Sequence, residues 1–248
     1  MRRLLTCLLA CGILTARAVQ AQFPPTELTN LKVFPADMPV RELLDSMGGF
    51  TRALGVRCSY CHVGQQGQPL SSYDFAADEK PAKEKARVMM RMAAAINGEH
   101  LPRLPARRDP PIAVSCTTCH RGVAEPRPLR QLVLAAYERG GVDSADAAYR
   151  ALRERYYGRA AYDFGEVALA DVASDLRDRG RFADAVRIAV LNTEFSPNSG
   201  FAHRQVAESQ LAAGDTAAAV KALERALEVN AEDGQARRAL DQIRPRRQ

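Results

Sequence analysis

Two short stretches, "GVRCSYCHVG" at 55–64 and "VSCTTCHRG" at 114–122, carry the same constellation: two cysteines spaced C-x-x-C with a histidine directly after the second. The chain has six cysteines, of which Cys7 and Cys11 lie near its start; Cys58, Cys61, Cys116 and Cys119 are all taken up by these two motifs. Thioether attachment of haem needs two thiols on one helical turn, spaced to match two vinyl groups, and then an imidazole that reaches the iron from the same side; C-x-x-C-H supplies this. A zinc site would need four ligands gathered from both C-x-x-C pairs and would leave each histidine unexplained. A thioredoxin-like dithiol needs one C-x-x-C beside a βαβ pattern, and none is present. The spacing therefore predicts two covalently bound haem c groups, attached at Cys58, Cys61, Cys116 and Cys119, with His62 and His120 as proximal iron ligands.

A sixth ligand must come from elsewhere. The remaining histidines are His100 and His203, whereas methionine stands ahead of each motif. Before the first runs "PVRELLDSMGGFTRALG", with Val40, Leu43, Leu44, Met47 and Phe50 on one helical face and Gly55 as the stop. The Gly48-Gly49 pair beside Met47 costs helix stability, as expected where backbone approaches something flat and bulky. Before the second runs "KPAKEKARVMMRMAAAIN", with Pro81 in the first turn, Asn97-Gly98 as the stop, and Met89, Met90 and Met92 between. A methionine on each helix is the expected distal ligand; His100 and His203 are expected to be a solvated and a packing residue. Met/His ligation raises the potential of a c-type haem and leaves no open position.

These elements belong to a chain of 248 residues that opens "MRRLLTCLLACGILTARAVQAQFPP". Basic residues, a short apolar run and small residues before Gln22 read as a secretory signal over 1–21, giving a periplasmic or extracellular product. "LLAC" followed by Gly12 is also a lipobox-like string, with Cys11 as the acylated residue of a possible lipoprotein. The formal charge of +6 falls to +3 once Arg2, Arg3 and Arg17 are removed with the signal, and the propionates of two haems would take it to about −1. The pI near 9 is therefore no sign of a nucleic-acid partner.

Residues 28–128 resemble the haem-binding module of the photosynthetic reaction-centre cytochrome c subunit, in a shorter di-haem form. The strings that carry this are "NLKVFPADMPVRELLDSMGGFTRALGVRCSYCHVG", "KARVMMRMAAAIN" and "VSCTTCHRG". The resemblance implies a repeat of helix, turn and C-x-x-C-H helix, with Met47 serving the haem on His62. The place of methionine ahead of "AAAIN" selects Met89 for the haem on His120, with Met90 and Met92 as neighbours. Four-haem members of that family have twice as many motifs, so what transfers is the electron-carrying module and not a specific partner.

Beyond Arg130 prolines almost vanish and the pattern turns helical. "DRGRFADAVRIAVLNTEFSPNS" aligns with "AAGDTAAAVKALERALEVNAED" at a constant offset of 34 residues, placing Gly180 on Gly214, Ala185 on Ala219 and Val186 on Val220. That period resembles tetratricopeptide repeats. Two repeats cannot bury a continuous core alone, so "SADAAYRALRERYYG" and "DGQARRALDQI" are expected to cap them. The expected fold is mainly α. It comprises a signal at 1–21, a di-haem cytochrome-type helical module at 22–130, linker and capping helices at 131–165, and a tetratricopeptide-like α-hairpin stack at 166–248. The expected function is single-electron transfer between membrane or periplasmic redox partners, one donor and one acceptor, with a protein or peptide docked on the repeats and no catalysis. The competing readings are a di-haem peroxidase-like enzyme and a haem-based redox sensor or interaction protein.

Overall fold

The computed structural model describes residues 22–106 and 109–244; the signal stretch and Cys11 lie outside the described residues. Helices carry the fold, as expected, and among the described residues β structure is limited to an isolated antiparallel bridge between Val63 and Asp74. The chain divides into two compact units. One gathers residues up to Arg52 together with Val56–Ser115; the other gathers Ala53–Gly55 with Cys116 onward.

In the first unit the principal helices are α1 (Val40–Leu54) and α2 (Pro81–Ala95). Helix α1 is amphipathic: Leu43, Leu44, Met47 and Phe50 are half-buried, while Arg41, Glu42 and Asp45 are exposed. Phe50 stacks on Phe34 with ring centroids 6.4 Å apart. Helix α2 starts at Pro81, where the missing amide proton costs nothing. Its end differs from the expected stop at Asn97-Gly98. The α-helix closes at Ala95, and the chain continues through a π turn, Ile96–His100, and a 3₁₀ turn, Leu101–Arg103. The Asn97 side chain does not cap the helix. Its amide donates to the Val114 carbonyl (2.9 Å) and accepts from the Val114 N–H (2.8 Å), a cross-tie that draws Asn97 into the wider turn. Among the described residues of this unit Arg87 alone is buried, and no hydrophobic side chain is; the buried Ala53 near the end of α1 counts with the second unit.

The second unit opens with the short helix α3 (Cys116–His120), followed by the long α4 (Leu129–Tyr156), bent where Gly140 and Gly141 leave helical geometry. Then come α5 (Glu166–Asp178), α6 (Phe182–Phe195), α7 (Gly200–Ala212), α8 (Thr216–Val229) and α9 (Gly234–Ile243). Both bounds of α7 fall 34 residues after those of α5, and both bounds of α8 fall 34 after those of α6. The repeat read from the sequence is thus a repeat of helical hairpins. Ala185, Ala202, Ala219 and Ala236 have no exposed surface, as small residues must where helices cross closely. Tyr149 on α4 packs against Phe164 (5.9 Å) and Phe195 (5.3 Å), and with Val133, Leu169, Val172, Leu176 and Ile188 it forms a dry core. The second arm of α4 contributes Val142, Ala145 and Tyr149 to this core, and Ala236 and Leu240 of α9 join a second cluster around Leu223. Three buried polar side chains are matched, Asn192 donating to the Glu166 carbonyl (2.8 Å) and Arg177 donating to Ser209 (3.0 Å) and Gln205 (3.3 Å), whereas the buried Oε1 of Gln210 has no hydrogen-bond partner among the described residues.

Candidate functional site

At the first motif, α1 ends in Gly55, whose φ of +66° lies in the left-handed region. A Cβ here would stand 2.1 Å from the Gly122 carbonyl oxygen, so the position admits no side chain. The chain then enters a 3₁₀ turn over Cys58–Tyr60, and the Cys61 and His62 amides both donate to the Cys58 carbonyl (3.2 and 3.0 Å). This single turn brings Cys58, Cys61 and His62 together, with both thiols free and half-buried. Burial pushes the Cys61 thiol up, against a smaller opposing pull from Lys80.

The His62 ring is held from the far side. Its Nδ1 lies 3.2 Å from the Phe75 carbonyl oxygen, and the Phe75 ring meets it edge-on at 5.0 Å. A carbonyl can only accept, so Nδ1 carries the proton and Nε2 keeps its lone pair for a metal. Burial first, then the nearby Lys83 ammonium, lowers the His62 pKa below its ordinary 6.5. The ring is therefore neutral at neutral pH, which is the ligating form.

The loop that presents Phe75 is braced residue by residue. The Asp74 N–H donates to the Val63 carbonyl (2.9 Å), while its carboxylate accepts from the Ala76 and Ala77 amides (3.0 and 2.9 Å). Tyr73 stacks on Phe75 at 5.6 Å and donates to the Gln65 carbonyl (2.7 Å). From α2, Lys83 donates to the carbonyls of Phe75, Ala76 and Ala77 (2.9, 2.9 and 2.8 Å), and Lys80 donates to the Ser59 carbonyl within the motif. Asp78 gathers Lys32 (2.6 Å), Arg87 (2.9 Å) and Lys83 (3.1 Å), which hold its carboxyl well below the usual carboxylate range. Arg87 also bonds Glu84 (3.0 Å), so its burial is paired.

At the second motif, α3 supplies the helical turn directly. His120 Nδ1 lies 3.0 Å from the Val123 carbonyl, and the Val123 N–H donates back to the His120 carbonyl (2.9 Å). The Gly122 N–H donates to the Ala53 carbonyl (2.7 Å). Cys116 is half-buried and Cys119 exposed, both as free thiols. Each motif thus presents two unpaired thiols and an imidazole whose Nδ1 is committed to a backbone carbonyl.

The methionines stand differently. Met47 is half-buried on α1, Met90 is half-buried on α2, and Met89 and Met92 are each 47% exposed. At Gly49, beside Met47, no protein atom lies within 4 Å of where a Cβ would be, whereas at Gly48 a Cβ would meet the Arg52 guanidinium at 3.2 Å. His100 is exposed, and His203 Nε2 contacts the Pro197 carbonyl at 3.0 Å, inside the hairpin stack. Among the described residues no three His, Cys, Asp or Glu side chains converge to hold a metal ion by themselves. That geometry does not serve the zinc alternative, which needs four protein ligands. A haem supplies four nitrogens of its own, and the observed donor sets fit it: thiols for the covalent links, one Nε2 for the iron, and half-buried apolar side chains to lie against the macrocycle.

Sequence reasoning did not find Phe75, Lys83, Asp78 or Arg87, and it read Asn97 only as a helix stop. Phe75 holds Nδ1 through its backbone carbonyl, which has no side-chain signature. Asp78, Lys83 and Arg87 had a signal in "DEKPAKEKAR", where Lys83 and Arg87 are four residues apart on a helix that starts just after Asp78.

Residues 25–134 match the family model of the photosynthetic reaction centre cytochrome C subunit. Over 68 residues the chain is 40% identical to cytochrome c-554 of Chloroflexus aurantiacus, a match that covers 27% of this chain and 14% of that protein. The segment 25–134 is thus similar to the reaction-centre cytochrome family, and the chain spans only a small part of that relative's length. No described helix is long and apolar enough to cross a membrane.

Proposed function

We propose that the chain is an exported di-haem c-type cytochrome that carries single electrons between redox proteins and docks a protein or peptide on a tetratricopeptide-like repeat stack. One observation carries this reading: both C-x-x-C-H turns hold two free thiols beside a histidine whose Nδ1 is tied to a backbone carbonyl, His62 to Phe75 and His120 to Val123. A free dithiol or a structural zinc pair does not require that second tie; an axial haem ligand does, because it fixes the ring's tautomer and aim.

Cys58 and Cys61, and likewise Cys116 and Cys119, form the thioether links. His62 and His120 would hold the iron through Nε2, and Met47 and Met89 would supply its second protein ligand. Haem c held by these residues would supply a reversible one-electron iron couple. The protein's own work is to keep His62 neutral and aimed, which Phe75 and the Lys83–Asp78–Arg87 cluster do, and to cover the ring edge, which the Phe75 ring does. The scarcity of dry core in the first unit supports the same reading, since apolar side chains such as Leu43, Met47 and Phe50 would complete their burial against a macrocycle. The 34-residue hairpin period supports the tetratricopeptide assignment.

The test is a spectroscopic redox titration of the exported protein, with denatured-state absorbance used to count covalent haems. Two covalent haems per chain, both low-spin with methionine and histidine ligation, are expected. One high-spin haem that binds an added ligand would overturn the carrier reading in favour of peroxidase or sensor chemistry.

A further inference from the structure

The two motif histidines are anchored alike but not equally. The Val123 carbonyl that holds His120 at 3.0 Å takes no side-chain cation among the described residues. The Phe75 carbonyl that holds His62 at 3.2 Å takes a second donor, the Lys83 ammonium at 2.9 Å. Lys83 is well placed to matter. Its side chain is 12% exposed, and it is fixed by two further carbonyls, Ala76 and Ala77. Asp78 answers part of its charge at 3.1 Å, but Asp78 is shared with Arg87 and Lys32.

A carbonyl that already accepts from a cation has less electron density to offer a second donor. The Nδ1–H of His62 is then less polarised, the ring keeps more neutral imidazole character, and it gives less density to an iron at Nε2. Weaker donation favours the reduced metal, and a nearby positive charge favours it too, so both effects have the same sign. We propose that Lys83 is a positioning residue that raises the potential of the first-motif haem through the Phe75 carbonyl, setting two identically ligated haems apart. This rests on the di-haem reading above.

The experiment is a redox titration of the intact holoprotein in four forms: wild type, Lys83→Met, Lys83→Arg and Lys85→Met, the last removing the same charge from an exposed position of α2. Covalent haem count and spin state are measured alongside. In Lys83→Met the midpoint of one haem falls, by about a tenfold shift of its reduction equilibrium or about 59 mV for one electron, while the other midpoint holds. Lys83→Arg restores most of the fall, Lys85→Met leaves both midpoints in place, and ring-proton assignment of His62 places the shift on its haem. Unmoved midpoints in Lys83→Met, or an equal fall of both, would sink the proposal, as would the same shift in Lys85→Met. Should Lys83→Met not fold, Lys83→Gln keeps hydrogen-bond donors without the charge and is read the same way. A wild-type protein without two covalent haems would instead refute the functional reading, so the two failures are distinct.

Discussion

At the scale of single residues, much of what organises the first motif is ionic, and Asp78 is its centre. Its carboxyl is held below its ordinary 3.8 first by Arg87, then by Lys32 and Asn30. A depressed folded value means that the tie contributes in full above the ordinary carboxylate range and is lost as pH falls below it, toward the folded value. Wild type should therefore be more heat-stable than Asp78→Asn at pH 7, with the gap in melting temperature closing as pH is lowered from about 4. A gap that stays constant down to pH 3 would show that Asp78 acts by shape and not by charge. That Cys58, Cys61 and His62 share one turn, and Cys116, Cys119 and His120 another, was legible because the C-x-x-C-H spacing is local. The Phe75 carbonyl was not, because a backbone acceptor looks the same in every residue and only the folded loop aims it at His62.

At the scale of elements, helix existence and period were readable, and helix ends less so. Gly180 and Gly214, paired by the 34-residue offset, both adopt left-handed φ (+71° and +83°) as the chain turns from α5 to α6 and from α7 to α8. Nothing lies within 4 Å of a Cβ at either, so alanine there meets only the backbone cost, about 1–2 kcal/mol. Gly55 combines a left-handed φ with the 2.1 Å approach to Gly122. Gly55→Ala should therefore lower stability by clearly more than Gly180→Ala, by about 2 kcal/mol or more in denaturant unfolding, and should loosen the second motif through the Gly122–Ala53 bond. Equal costs for the two variants would mean that the close approach relaxes freely. The expected stop of α2 at Asn97-Gly98 was misplaced because Asn97 has a long-range partner in Val114. Local signals name a residue that can end a helix; they do not reveal that a distant strand of chain has claimed it.

At the scale of the whole molecule, burial is unevenly shared. The second unit has a dry core running from Val133 to Leu240, whereas the first is held by ion pairs, backbone ties and half-buried apolar side chains. Replacing Cys58, Cys61, Cys116 and Cys119 together by alanine should strip haem and divide the chain in hydrogen exchange: α5 to α9 stay protected, and α1 and α2 lose protection. Uniform loss across both would show that the hairpin stack depends on haem as well. The partition also bears on biogenesis. On the proposed reading the second motif is the opening turn of a unit that can form from its own side chains, with Cys119 left open to solvent. The first motif lies in a unit whose consolidation waits on its cofactor. A haem-loading enzyme thus meets two different substrates on one polypeptide: a pliant segment that it must finish, and a finished surface that it needs only to decorate.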